Sequence, residues 1–161
     1  MDESRIVHHV YFTPPADKGP LFVAHHGAGS SGLSFAVCAS EIRKALPSAG
    51  ILSLDARGHG ETTVQDTQGG SQASVPKGND VPDLSLETLS NDLVHVLRLT
   101  QEKMAWPELP GLVLVGHSLG GAVVTEAALS GKLGNAVLGY AVLDVVEGMS
   151  YLPLPTLPPF T

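Results

Sequence analysis

The 161 residues predict one α/β domain, a mostly parallel sheet with helices on both faces. Three observations predict it. Short apolar runs of strand length alternate with longer stretches of helical spacing, and that alternation implies right-handed crossovers between parallel neighbours. Glycine-rich or polar loops follow three of the apolar runs, where the carboxyl ends of such strands carry the ligand crevice. One of those runs, residues 112–115, enters Gly116-His117-Ser118-Leu119-Gly120-Gly121 and then a helix-forming stretch over 122–129.

Taken in order, residues 6–12 are β-rich and stopped by Pro14-Pro15, which predicts one strand. Residues 21–24 form a short buried strand that empties into His25-His26-Gly27-Ala28-Gly29-Ser30-Ser31-Gly32. A helix is expected over 33–46, closed by Pro47, with the single cysteine, Cys38, as a small buried hydrophobe within it. Residues 51–54 make a third strand, leading to Asp55-Ala56-Arg57-Gly58-His59-Gly60-Glu61-Thr62. The stretch 64–82 lacks periodicity and is rich in Gly, Gln, Ser, Asp and Pro, the composition of a mobile polar insertion. Ser85 can cap the next helix, Glu87 suits its positive end, and Leu86, Leu89, Leu93, Leu97 and Met104 recur at helical spacing. Pro107, Pro110 and Gly111 separate it from the strand at 112–115, and a last apolar strand over 137–142 leads to Asp144.

Composition narrows the function classes. A formal charge of −7 with nine Lys+Arg argues against a nucleic-acid or anionic-membrane surface. One cysteine excludes an internal disulfide. The acidic N-terminus has no apolar signal region and no run reaches membrane-spanning length, so a cytosolic or nuclear protein is expected. Neither a metal nor a cofactor is expected. A rival deserves weighing, because Gly27-Ala28-Gly29-Ser30-Ser31-Gly32 followed by Asp55 has the outline of a dinucleotide fingerprint. His25 and His26 intrude between strand and first glycine, and that reading leaves the serine turn unexplained.

Strand, tight turn and helix around G-x-S-x-G are the context of a nucleophile elbow, which makes Ser118 the nucleophile candidate. A serine hydroxyl is a weak nucleophile, so it needs a base, a carboxylate to orient that base, and donors for the oxyanion. In the α/β-hydrolase arrangement one donor is the amide after the serine, here Leu119, and the second comes from the loop after an earlier strand. Ala28 N–H is the candidate there, with His26, Gly27 and Gly29 shaping a substrate loop. Asp144, at the carboxyl end of the last strand, is the candidate acid; position alone leaves open an exposed loop aspartate or a helix cap. His117 should point away from the serine, while His25, His26 and His59 are expected to brace loops.

The segments HHGAGSSGLSFAVCASEI, LDARGHGET, LSLETLSNDL, LVGHSLGGAVV and LDVVEG, in this order, resemble the protein phosphatase methylesterase family. GHSLGG and RGHGET are generic to α/β-hydrolases; the glycine loop and LDVVEG carry the more specific likeness. The resemblance implies a cofactor-free serine esterase that removes the methyl ester from the C-terminal carboxyl of the type-2A protein phosphatase catalytic subunit. It implies Ser118 as nucleophile and Asp144 as acid, and makes the dinucleotide outline a coincidence. It also implies that 1–148 is a partial α/β-hydrolase domain, lacking the cap region, the last strands and the last helix. All seven histidines precede Ser118, whereas the family's catalytic histidine lies far downstream. Residues 149–161, with four prolines, read as a tail foreign to the fold. An open sheet edge is then expected to favour self-association. A general small-ester hydrolase and an inactive, partner-binding chain are the alternatives.

Overall fold

The computed structural model describes residues 4–66 and 82–144. Its elements are β1 (Ser4–Val7), β2 (Val10–Thr13), β3 (Leu21–His25), a 3-10 turn (Gly32–Phe35), α1 (Ala36–Ala45), β4 (Gly50–Leu54), β5 (Thr63–Asp66), α2 (Leu86–Lys103), β6 (Leu112–His117), α3 (Leu119–Leu129), a second 3-10 turn (Gly134–Ala136) and β7 (Val137–Leu143). Five strands form the main sheet in the order β2-β4-β3-β6-β7. Only β2 runs antiparallel; β4, β3, β6 and β7 are parallel, as the strand–helix alternation requires.

The core lies on one face. Leu21, Val23, Leu52, Leu54, Leu112 and Leu114 project from it onto Leu89, Leu93, Val96 and Leu97 of α2 and Val123, Val124 and Ala127 of α3. The period of two is explicit in β6, whose residues alternate buried and half-buried. Ser85 caps α2 as expected, its hydroxyl accepting from Thr88 N–H at 3.3 Å. Leu89, Leu93 and Leu97 are buried, but Leu86 and Met104 at the helix ends are exposed.

The opposite face carries α1 over Phe22, Ala24, Ile51 and Val115, so helices do cover both faces. Yet no residue of α1 is buried, and Cys38 is exposed rather than an interior hydrophobe. The reason is that α2 and α3 pack side by side on the core face, whereas α1 sits on its face without a neighbouring helix among the described residues.

Three sequence expectations need correction. The single N-terminal strand is two, because the chain leaves one sheet for another at His8-His9. There His9 N–H donates to Thr62 Oγ1 at 3.0 Å, and the His9 carbonyl accepts from Asp55 N–H at 3.0 Å. The polar insertion begins later than composition suggests: Val64 to Asp66 belong to β5, which pairs antiparallel with β1 in a separate two-stranded sheet. The expected helix over 33–46 opens as a 3-10 turn, since Gly32 is pinned by Asp55 Oδ1 on its N–H (2.7 Å) and by the Ser53 hydroxyl on its carbonyl (2.8 Å). Residues 67–81 of the expected insertion, and the whole expected tail 149–161, lie outside the described residues.

Candidate active site

The sharp turn at Ser118 is built by close backbone contact. Ser118 has φ 52° and ψ −120°, a region that non-glycine residues avoid and that persists only where the surroundings impose it. Its N–H donates to Leu143 O at 2.9 Å and its carbonyl accepts from Gly121 N–H at 2.8 Å, tying the turn to β7 and to the first turn of α3. The flanking glycines are steric necessities. A Cβ on Gly116 would lie 2.2 Å from Gly120 O, and one on Gly120 would lie 2.1 Å from His25 O. The helix therefore starts in direct contact with the end of β3, and β3 delivers the glycine loop to the serine. A Cβ on Gly27 would meet Ser118 Cβ at 3.0 Å and His117 Nδ1 at 3.1 Å.

The structure thus brings Ser118, Leu119 and Gly27 together, with Ala28 next to Gly27 in the chain. Leu119 opens α3, where the first amides have no intrahelical partner. Ala28 N–H makes no hydrogen bond among the described residues, while its neighbour Gly29 donates to His59 Nε2 at 3.0 Å. Gly29 adopts φ 72°, which explains glycine there. Asp144 follows β7 directly and also has positive φ (52°). Its carboxylate is exposed and lies 3.9 Å from His117 Nε2, beside the elbow but not on the serine.

No described residue hydrogen-bonds the Ser118 hydroxyl, and all seven histidines are described. His26 is 1% exposed; its Nδ1–H donates to Gly27 O at 2.7 Å and its Nε2 accepts from Ala56 N–H at 3.0 Å. His59 Nδ1–H donates to Arg57 O at 3.0 Å. Both rings are therefore neutral with both nitrogens engaged, bracing loops as their positions suggested. Burial drives His25 down to about 4, against the opposing pull of the His26 carbonyl that accepts its Nδ1–H at 3.0 Å. His9 Nδ1–H donates to Asp55 Oδ2 at 3.1 Å. His8 is buried near Asp92, and His95 is exposed on α2.

Asp55 weighs against the dinucleotide rival. It is fully buried, with Oδ1 accepting from Gly32 N–H and Oδ2 from Glu61 N–H (2.9 Å) and His9, so its carboxylate braces loops instead of facing solvent where a ribose would bind. Burial alone would raise its carboxyl, but the amides of Glu61 and Gly32, with His9, outweigh it and hold the group below its ordinary value. Two features escaped the sequence reading. One is the bidentate Arg57–Asp92 pair, both bonds 2.7 Å, which anchors the 55–62 loop to α2. The other is the contact of that loop with the glycine loop. No periodicity signals either; the run Asp55-Ala56-Arg57-Gly58-His59 was visible only as a generic motif.

The chain belongs to the alpha/beta hydrolase family, whose model matches residues 21–160. Within it, the chain is 69% identical over 147 residues to protein phosphatase methylesterase 1 of Aspergillus fumigatus, covering 91% of this chain and 33% of that protein. The protein of the same name from Schizosaccharomyces pombe is 40% identical over 139 residues, covering 86% of this chain and 36% of its own length. The resemblance read from the sequence motifs therefore holds along most of the chain, which spans about a third of these relatives. Among solved structures, an esterase from Exiguobacterium antarcticum superposes with a TM-score of 0.59 at 16% identity, over 88% of this chain and 42% of the esterase. Epoxide hydrolase A from Mycobacterium thermoresistibile gives 0.56 at 18% identity, over 88% of this chain and 39% of the hydrolase. At those identities the likeness is one of fold. No helix among the described residues is long and apolar enough to cross a membrane.

Proposed function

We propose that this chain carries the nucleophile, acid and oxyanion donors of a serine methylesterase acting on the C-terminal methyl ester of the type-2A protein phosphatase catalytic subunit. The observation that carries the reading is Ser118, held at positive φ on a strand-to-helix turn with Gly27 of the glycine loop against it. The names of the relatives, protein phosphatase methylesterase 1 in both cases, support the ester class. In this reading Ser118 Oγ adds to the ester carbonyl while Ala28 N–H and Leu119 N–H stabilise the oxyanion. A histidine base oriented by Asp144 takes the serine proton and returns it to the departing methanol. Water then resolves the acyl-enzyme by the same route. No histidine of this chain hydrogen-bonds the Ser118 hydroxyl, and His117, beside the elbow, faces Asp144 at 3.9 Å, so in this reading the base is supplied from outside these 161 residues. A second reading, a catalytically silent chain that still binds the phosphatase, is favoured by a Ser118 hydroxyl that has no hydrogen-bond partner among the described residues.

Labelling with a fluorophosphonate serine-hydrolase probe, beside Ser118→Ala, tests the first reading. Labelling that requires Ser118 supports the nucleophile assignment and shows that a base reaches it. A folded sample that stays unlabelled, yet retains methylated phosphatase equally well with and without Ser118, transfers the assignment to the second.

A further inference from the structure

The glycine loop and the 55–62 loop are joined by two imidazoles in a reciprocal arrangement. Gly29 N–H of the first loop donates to His59 Nε2 of the second at 3.0 Å, and Ala56 N–H of the second donates to His26 Nε2 of the first at 3.0 Å. Each ring spends its Nδ1–H on a carbonyl of its own loop, His26 on Gly27 O and His59 on Arg57 O. The ring centroids are 5.1 Å apart. Ala28 sits between the two fastened positions, His26 and Gly29. The second loop is itself immobilised, by buried Asp55 and by the Arg57–Asp92 pair.

We propose that His26 and His59 are positioning residues that hold the Ala28 amide toward Ser118 through this neutral clamp, and that acid opens it. This rests on the esterase reading for its consequence but not for its geometry. A protonated imidazole offers two donors and no acceptor, so protonating either ring sets N–H against N–H. The groups facing the pair are His25 at the end of β3, Asp55 at the end of β4, Arg57 with its Asp92 partner from α2, and His117 against Gly27. Burial pushes His26 below the usual histidine range; His59 adds to this, while the Gly27 carbonyl and Asp55 oppose it. His59 is the half-buried member of the pair and His26 the fully buried one, so His59 is the ring to vary.

The experiment is NMR of the 161-residue chain, reading ring nitrogens and the Gly29 and Ala56 amides across pH, for wild type, His59→Gln and His59→Phe. Both wild-type rings should be Nδ1–H tautomers near neutrality, and the two amides should shift with ring protonation. His59→Gln keeps an acceptor that does not protonate, so Gly29 should stay bonded and lose its pH response. His59→Phe should free the Gly29 amide and lower Ser118 probe labelling about tenfold to a hundredfold, with His59→Gln restoring it. An Nε2–H tautomer on either ring, or a Gly29 amide indifferent to His59→Phe, overturns the clamp. Absence of labelling in folded wild type with the NMR pattern intact leaves the clamp standing and, together with Ser118-independent retention of methylated phosphatase, defeats the esterase reading alone.

Discussion

Gly120→Ala offers the sharpest test of how the elbow is built. Position 120 is helical, so alanine by propensity alone should stabilise by roughly 1 kcal/mol. The added Cβ would lie 2.1 Å from His25 O and 2.6 Å from His26 O, both backbone atoms at the end of β3. No side chain can rotate away, so the first turn of α3 must retreat by about 1 Å to restore ordinary contact. That retreat loosens Val123, Val124 and Ala127 from the core. Overpacking costs typically about 1–3 kcal/mol, and more where backbone must move. The net expectation is a loss of about 2 kcal/mol, a fall in Tm of roughly 4–8 °C for a chain of this size. Gly139→Ala, in β7 with nothing within 4 Å of the new methyl, is the control and should be neutral or slightly stabilising. The assay is thermal unfolding followed by circular dichroism on both variants. A Gly120→Ala protein as stable as wild type would refute the claim that helix and strand meet backbone to backbone at the serine.

Other outcomes follow from the same geometry. Arg57→Met leaves the Asp92 carboxylate largely buried and unpaired, and should cost about 2 kcal/mol in a urea melt; adding Asp92→Leu should recover part of it, and strict additivity would deny the coupling. His25 is neutral in the folded chain down to about 4, whereas an unfolded histidine protonates near 6.5. The unfolded state therefore binds the extra proton between those values, and stability should fall by about 3 kcal/mol as pH drops through that window. His25→Gln should flatten the slope between pH 7 and pH 4.5, and an unchanged slope would assign the loss elsewhere. At the sheet edge, β7 exposes Leu138, Tyr140 and Val142, so a second copy is expected to pair there. Sedimentation should show concentration-dependent association abolished by Tyr140→Lys with Val142→Lys, and a wild type monomeric at all concentrations would exclude it.

Much of this protein was legible along the chain because its signals are local. Alternating apolar runs and helical spacing define the parallel sheet, and Ser85 marks the start of α2. Gly116 announces the serine turn because its cause, crowding against the Gly120 backbone four residues on, is itself local, whereas Gly120 answers to the His25 carbonyl of β3, far away in the chain. What the tertiary structure decided is everything that depends on distant partners. The break at His8-His9 arises because Asp55 and Thr62 compete for that backbone, and β5 exists because β1 lies beside it. Cys38 is exposed because α1 stands without a neighbouring helix among the described residues. His26 and His59 are legible as loop-bracing residues but not as partners; only the approach of two loops, each offering an amide that the other's imidazole can accept, joins them into a clamp. Hydrogen bonds across thirty residues of sequence leave no period to read.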